Sequence, residues 1–148
     1  MTTLIFENGH MNRILVDTNV LIYSIDQESK YFDRSSDFLN SKCEIFISSK
    51  SLSEFFAVVT RAPISSLSIS DALKMIQWFS KNYTILFPDM ASLNILFDLT
   101  DKYKPKGLII HDFEIVSIGL ANKIKRFATF NSKDFSLIRE VEILDLKK

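Results

Sequence analysis

In Arg13-Ile14-Leu15-Val16-Asp17-Thr18-Asn19, a short apolar run with branched side chains leads straight into an aspartate. A strand with one wet face would alternate apolar and polar residues. This one does not, so it reads as a strand buried on both faces, the kind found in parallel sheets covered by helices on either side. Asp17 stands at its carboxyl end, just before a helix that begins around Thr18 or Asn19.

The same pattern recurs down the chain. Glu44-Ile45-Phe46-Ile47 is a second strand, followed by Ser48, Ser49, Lys50 and Ser51 and then by Leu52, Phe55, Phe56 and Val59 at the spacing of one buried helix face, closed by Pro63. Ser70 or Ser68 caps a helix carrying Ala72, Met75, Ile76 and Phe79, and Tyr83 to Phe87 reads as strand. Leu93, Leu96, Phe97 and Thr100 mark the next helix, and Pro105 with Gly107 break it. Asp112 opens a helical stretch with Phe113, Val116, Leu120 and Ile124, followed by strands at Arg126 to Phe130 and Val141 to Leu146. Strands alternating with helices predict an α/β fold: a mainly parallel central sheet with right-handed helical crossovers in a three-layer α/β/α sandwich.

The length of 148 residues allows one domain. Thirteen Phe against 3 Gly and 3 Pro predict a Phe-rich core. Gly9, His10 and Met11 read as a cloning junction followed by a genuine start, so residues 1–10 are a non-native leader and residues 11–148 the domain. The single Cys43 excludes an internal disulfide and fits a small buried residue in a reducing, cytoplasmic protein. No apolar run is long enough to span a bilayer. Eighteen basic residues balance 18 acidic ones, so a polyanionic partner would have to meet a local patch such as Lys102, Lys104 and Lys106, or Lys123, Lys125 and Arg126.

In an open parallel sheet, ligands bind beyond the carboxyl ends of the strands. Asp17 lies at such an end, where it caps a helix, faces the crevice, or does both. Glu54 is about 200 degrees from Leu52 around its helix, taking about 100 degrees per residue, and so points away from the apolar stripe, in the first turn after the second strand. Asp112 follows Leu108-Ile109-Ile110 at a helix start. Three acids at three junctions repel one another and call for a cation, and oxygen ligation selects a hard one, Mg2+ or Mn2+. Such an ion supports phosphodiester chemistry. His10 and His111 are the only histidines; there are no paired cysteines and no Gly-rich phosphate loop, and His111-Asp112 is too little for a Ser-His-Asp site.

With those residues in view, the chain resembles the PIN-domain family, specifically the VapC-type toxin ribonucleases of type II toxin–antitoxin pairs. The resemblance is carried by Ile14-Leu15-Val16-Asp17-Thr18-Asn19, Ser53-Glu54-Phe55, His111-Asp112-Phe113 and Ala128-Thr129-Phe130-Asn131-Ser132-Lys133-Asp134-Phe135, and runs from Met11 almost to Lys148. It implies a Mg2+- or Mn2+-dependent endoribonuclease with one or two ions. Asp17 and Asp112 are then ligands, Glu54 binds a second ion or acts through water, and Thr18 or Asn19 braces the site. The position two after Thr129, often Asp in relatives, is Asn131 here, and Asp134 is the candidate replacement. The resemblance further implies an RNA substrate, with transfer RNA the family-level guess, an antitoxin partner and a homodimer.

Two other readings stand beside this one. Val16-Asp17-Thr18-Asn19 also resembles the nucleophile strand of aspartate-dependent phosphatases, although those usually carry a second Asp where Asn19 stands. Asn131 leaves room for a catalytically inactive PIN-like module that binds RNA or a partner.

Overall fold

A computed structural model describes residues 12–61 and 66–148. The expected leader at 1–10 and the helix stop at Pro63 lie outside them. Five strands form one sheet: β1 (Arg13–Val16), β2 (Glu44–Ser48), β3 (Thr84–Leu86), β4 (Arg126–Thr129) and β5 (Glu142–Asp145). All neighbours are parallel, in the order β3-β2-β1-β4-β5. β1 is central, with Leu15 in register with Phe46 of β2 and Phe127 of β4.

Six helices among the described residues cover the sheet: α1 (Thr18–Tyr23), α2 (Phe32–Leu39), α3 (Ser49–Arg61), α4 (Ile69–Asn82), α5 (Met90–Tyr103) and α6 (Ile110–Ala121). The period of two along β1 sorts them. Ile14 and Val16 point into a core with Val20, Leu39, Phe55 and Phe79, so α1 to α4 lie on that face. Leu15 points the other way, into a core with Leu99, Phe113, Val116 and Ile118 from α5 and α6. The result is the expected three-layer sandwich. Its largest fully buried side chains include Phe55, Phe79, Phe113, Phe127, Phe130 and Phe135, as the composition requires.

Local chemistry sets the helix ends. Ser68, not Ser70, caps α4 by accepting the N–H of Asp71 at 3.0 Å. Asp89 and Ser92 form a reciprocal capping box on α5. That helix stops where Lys104 turns left-handed before Pro105. The apolar Leu108-Ile109-Ile110 is a single 3-10 turn over Gly107–Ile109 leading into α6, which therefore begins two residues before Asp112. Cys43 is only half-buried.

α6 presses against β1 at Gly119. A methyl group there would sit 2.9 Å from Cδ2 of the buried Leu15 and 3.5 Å from the Ile124 carbonyl oxygen. Gly119→Ala should therefore lower stability by about 1 kcal/mol: overpacking costs about 1–3 kcal/mol, and the better helix propensity of Ala returns about 1. A chemical-denaturation midpoint at or above that of the wild type would contradict this reading of the contact.

Candidate active site

In the order β3-β2-β1-β4-β5 the chain reverses its direction of travel between β1 and β4, which opens a crevice at their carboxyl ends. Asp17 follows β1 there, and its backbone N–H donates to the Ala128 carbonyl of β4 at 2.9 Å. Its extended backbone makes it the N-cap of α1, with Oδ1 accepting the Thr18 N–H at 2.8 Å. Its other oxygen, Oδ2, accepts the Thr129 hydroxyl at 2.8 Å. Capping thus occupies only one oxygen and leaves the carboxylate turned toward β4.

Thr129 is the hub of this corner. Its Oγ1 also accepts the Asn131 N–H at 2.9 Å and an amide hydrogen of Asn19 at 3.3 Å. Asn19 Oδ1 in turn accepts the N–H of Phe130 at 3.3 Å. The carboxyl ends of β1 and β4 are therefore joined by side chains as well as by the sheet.

The other expected residues assemble around this corner. Thr18 Oγ1 donates to Glu54 Oε2 at 3.0 Å and ties α1 to α3. Glu54 lies in the second turn of α3, because that helix starts at Ser49, before the polar segment ends. The first-turn expectation fails, and the helix dipole gives this residue correspondingly less help. Asp112 is in the first turn of α6 and half-buried. Lys50 on α3 and Glu114 on α6 pair at 2.9 Å, joining the two helices that carry Glu54 and Asp112. Asp134 lies on the 3-10 turn Ser132–Phe135 and accepts a hydrogen bond from the Asn131 side chain. Asn131 is thus exposed and spends its amide on holding Asp134.

The electrostatics bring all four acids together. Burial raises Asp17 from 3.8 to about 6; hydrogen bonds from Thr129 and Thr18 oppose the rise, and the charges of Glu54 and Asp134 add to it. Asp112 is raised to about 7, first by burial and then by the charges of Asp17, Asp134 and Glu54. Every influence on Asp112 pushes in the same direction. Among the described residues, however, no three acidic, histidine or cysteine side chains converge tightly enough to hold an ion as they stand. The donors are carboxylate oxygens, and burial penalises the charge of Asp17 and Asp112, which suits a hard divalent cation.

The lysine clusters picked from the sequence are partly consumed. Lys102 pairs with Glu140 and Lys104 with Asp101, each at 2.9 Å, and Arg126 lies 3.7 Å from Glu142. Lys123, Lys125 and Arg126 also precede or begin β4, at the end of the sheet away from Asp17. His111 is exposed. No helix among the described residues is long and apolar enough to cross a membrane.

The chain resembles known proteins at the level of fold and family profile. The profile described as PIN domain matches residues 14–141. Among solved structures, VapBC2 from Rickettsia felis bound to promoter DNA is similar with a TM-score of 0.69 and 18% identity over 90% of this chain and 98% of that one. VapBC-1 from nontypeable Haemophilus influenzae matches with a TM-score of 0.69 and 18% identity over 92% and 99%. VapC20 of Mycobacterium tuberculosis, a Sarcin-Ricin loop cleaving toxin, matches with a TM-score of 0.68 and 12% identity over 84% and 95%. A search of curated proteins finds no match.

Proposed function

Because this chain belongs to the PIN-domain family, we propose that it is a Mg2+- or Mn2+-dependent endoribonuclease, the toxin of a toxin–antitoxin pair, with its site at Asp17, Glu54, Asp112 and Asp134. The observation that carries the proposal is that Asp17 and Asp112, at the crevice between β1 and β4, both feel the charges of Glu54 and Asp134. Asp17 and Asp112 would hold the ion. A divalent cation there supplies a Lewis acid for the phosphodiester and brings water into reach of deprotonation at neutral pH.

The remaining work falls to the side chains. Thr129 and the Thr18 N–H fix both oxygens of Asp17, so its orientation is set before any ligand arrives. Glu54, oriented by Thr18, accepts the proton of the attacking water. Asp134, held by Asn131, supplies the fourth negative charge in place of the acid that relatives often carry two positions after the threonine. Asn19, bonded to Thr129 and to the Phe130 N–H, is engaged in bracing, which argues against a phosphatase needing an acid at that position.

The similar structures from Rickettsia and Haemophilus are named as VapBC assemblies, and this supports an antitoxin as the partner of this chain. A homodimer follows from the family resemblance, and the cytoplasm from the lone half-buried cysteine.

The test is cleavage of structured RNA, transfer RNA among the substrates, with Mg2+ or Mn2+ and with EDTA. Endonucleolytic products only in the presence of metal are expected. Hydrolysis of a phosphomonoester without RNA cleavage would overturn the proposal.

A further inference from the structure

An acidic crevice on a chain with no net charge repels the polyanion it is proposed to cut, so something nearby must offset the repulsion. The clusters visible in the sequence serve poorly: Lys102 and Lys104 are paired, and Lys123, Lys125 and Arg126 sit at the opposite end of the sheet. A different set of cations gathers beside the site, from segments more than a hundred residues apart.

Tyr31, just before α2, packs its ring 4.7 Å from that of Phe130, the residue between Thr129 and Asn131. Two ammonium groups flank the same ring, Lys30 Nζ at 5.1 Å and Lys147 Nζ at 5.9 Å from its centroid. Lys147 lies just beyond the carboxyl end of β5, the same end of the sheet as Asp17. It is tethered there: Arg34 donates to the carbonyls of Leu146 and Lys147, and the Lys147 N–H donates to Asp145 at 2.9 Å. Lys30, Tyr31, Arg34 and Lys147 line an open recess of about 610 Å3. Asp33 and Asp37 line it too, and the charge of Lys147 is felt by Asp145, yet among the described residues none of the three cations closes an ion pair within 4 Å as Lys50, Lys102 and Lys104 do.

We infer that this recess holds the sugar–phosphate backbone of the single-stranded RNA entering the acidic site, an inference that rests on the nuclease reading above. The aromatic ring and the Arg34 tether hold two ammonium groups around one ring that packs on Phe130, so part of the cost of ordering long side chains is met before RNA binds. Cations at such spacing bind phosphates without reading bases, and the recess would therefore add affinity and direction to the strand, not sequence preference.

The experiment is anisotropy of a short fluorescent oligouridylate with the full chain in EDTA, so that nothing is cut, across a salt series. The Lys30→Gln/Lys147→Gln pair should weaken binding on the order of tenfold near physiological salt and flatten the log–log salt slope by about 1.4, roughly 0.7 for each lost phosphate contact. The control pair Lys123→Gln/Lys125→Gln should leave both unchanged, and all proteins should melt at the wild-type temperature. Equal affinity and slope in the first pair would overturn the recess while leaving metal-dependent cleavage by the wild type untouched. Lysine-dependent binding by a protein that cuts no RNA would sink the nuclease reading and keep the recess. If the first pair weakens binding of polyglutamate but not of RNA, the recess serves an acidic protein segment and the proposal fails.

Discussion

Asp17→Asn is expected to reduce metal-dependent RNA cleavage on the order of 10²–10³-fold and, in the absence of metal, to make the protein more stable at neutral pH. The two effects share one cause. Burial holds the Asp17 carboxyl near 6, above its ordinary 3.8, so its ionised form is penalised in the folded state. For an acid raised on folding, the penalty is absent below about pH 4, grows as pH rises toward 6, and is complete above about pH 7. Moving from 3.8 to about 6 corresponds to ~3 kcal/mol. Metal-free wild type should therefore lose stability between about pH 4 and 7, and the Asn variant should lose about 3 kcal/mol less, the loss from ionising the half-buried Asp112 remaining. Asparagine keeps an acceptor for the Thr18 N–H, but the Thr129 hydroxyl, whose oxygen already accepts two N–H groups, loses its acceptor, which returns about 1 kcal/mol of the gain. Thermal melts over that pH range in EDTA, beside cleavage assays in Mg2+, read both effects. A variant that cuts normally, or one that melts lower than wild type at pH 7, would contradict the assignment.

Thr129→Val tests the bracing at almost constant volume. It removes the donor to Asp17 Oδ2 and the acceptor for both the Asn131 N–H and the Asn19 amide in a residue with no solvent exposure. Leaving these three groups without their partner should cost about 3 kcal/mol or more. Because the Thr129 bond lowers the Asp17 pKa, its loss should move that titration to still higher pH. Cleavage should fall about 10–100-fold, as when a ligand's supporting partner is lost. Thr129→Ser keeps the hydroxyl and should recover both activity and the titration midpoint. If serine fails to rescue while valine keeps wild-type stability, Thr129 matters for its methyl group and the hub is misread.

How much of this could be read from the chain depended on periodicity. β1, α3 and α4 announce themselves because burial on a regular face forces a regular apolar spacing. α2 is as amphipathic but hides by its length: Phe32-Asp33-Arg34-Ser35-Ser36-Asp37-Phe38-Leu39 has only two turns, with serines where longer helices repeat apolar residues. Asp17, Glu54 and Asp112 were legible as acids at element junctions, but their convergence depends on topology. Glu54 sat one turn deeper than expected because Ser49, Lys50 and Ser51 belong to the helix. The relation of Asn131 to Asp134 was not legible in sequence, since it rests on a side-chain hydrogen bond across three residues. Lys30 and Lys147 were invisible as a pair, because nothing in one segment reports on a ring contact made by another.

On the toxin reading proposed above, the sheet order also governs when the molecule becomes dangerous to the cell that makes it. β1 is synthesised first but needs β4 on its far side, and Asp17 gains its Thr129 partner across 112 positions of chain. Contacts at that separation form late, after most of the loop-closure entropy has been overcome. A growing chain that has exposed Asp17, Glu54 and even Asp112 still lacks the corner that orients the first of them. Only when the segment through Asp134 is free of the ribosome can the crevice close, and by then a waiting partner protein can already be at hand.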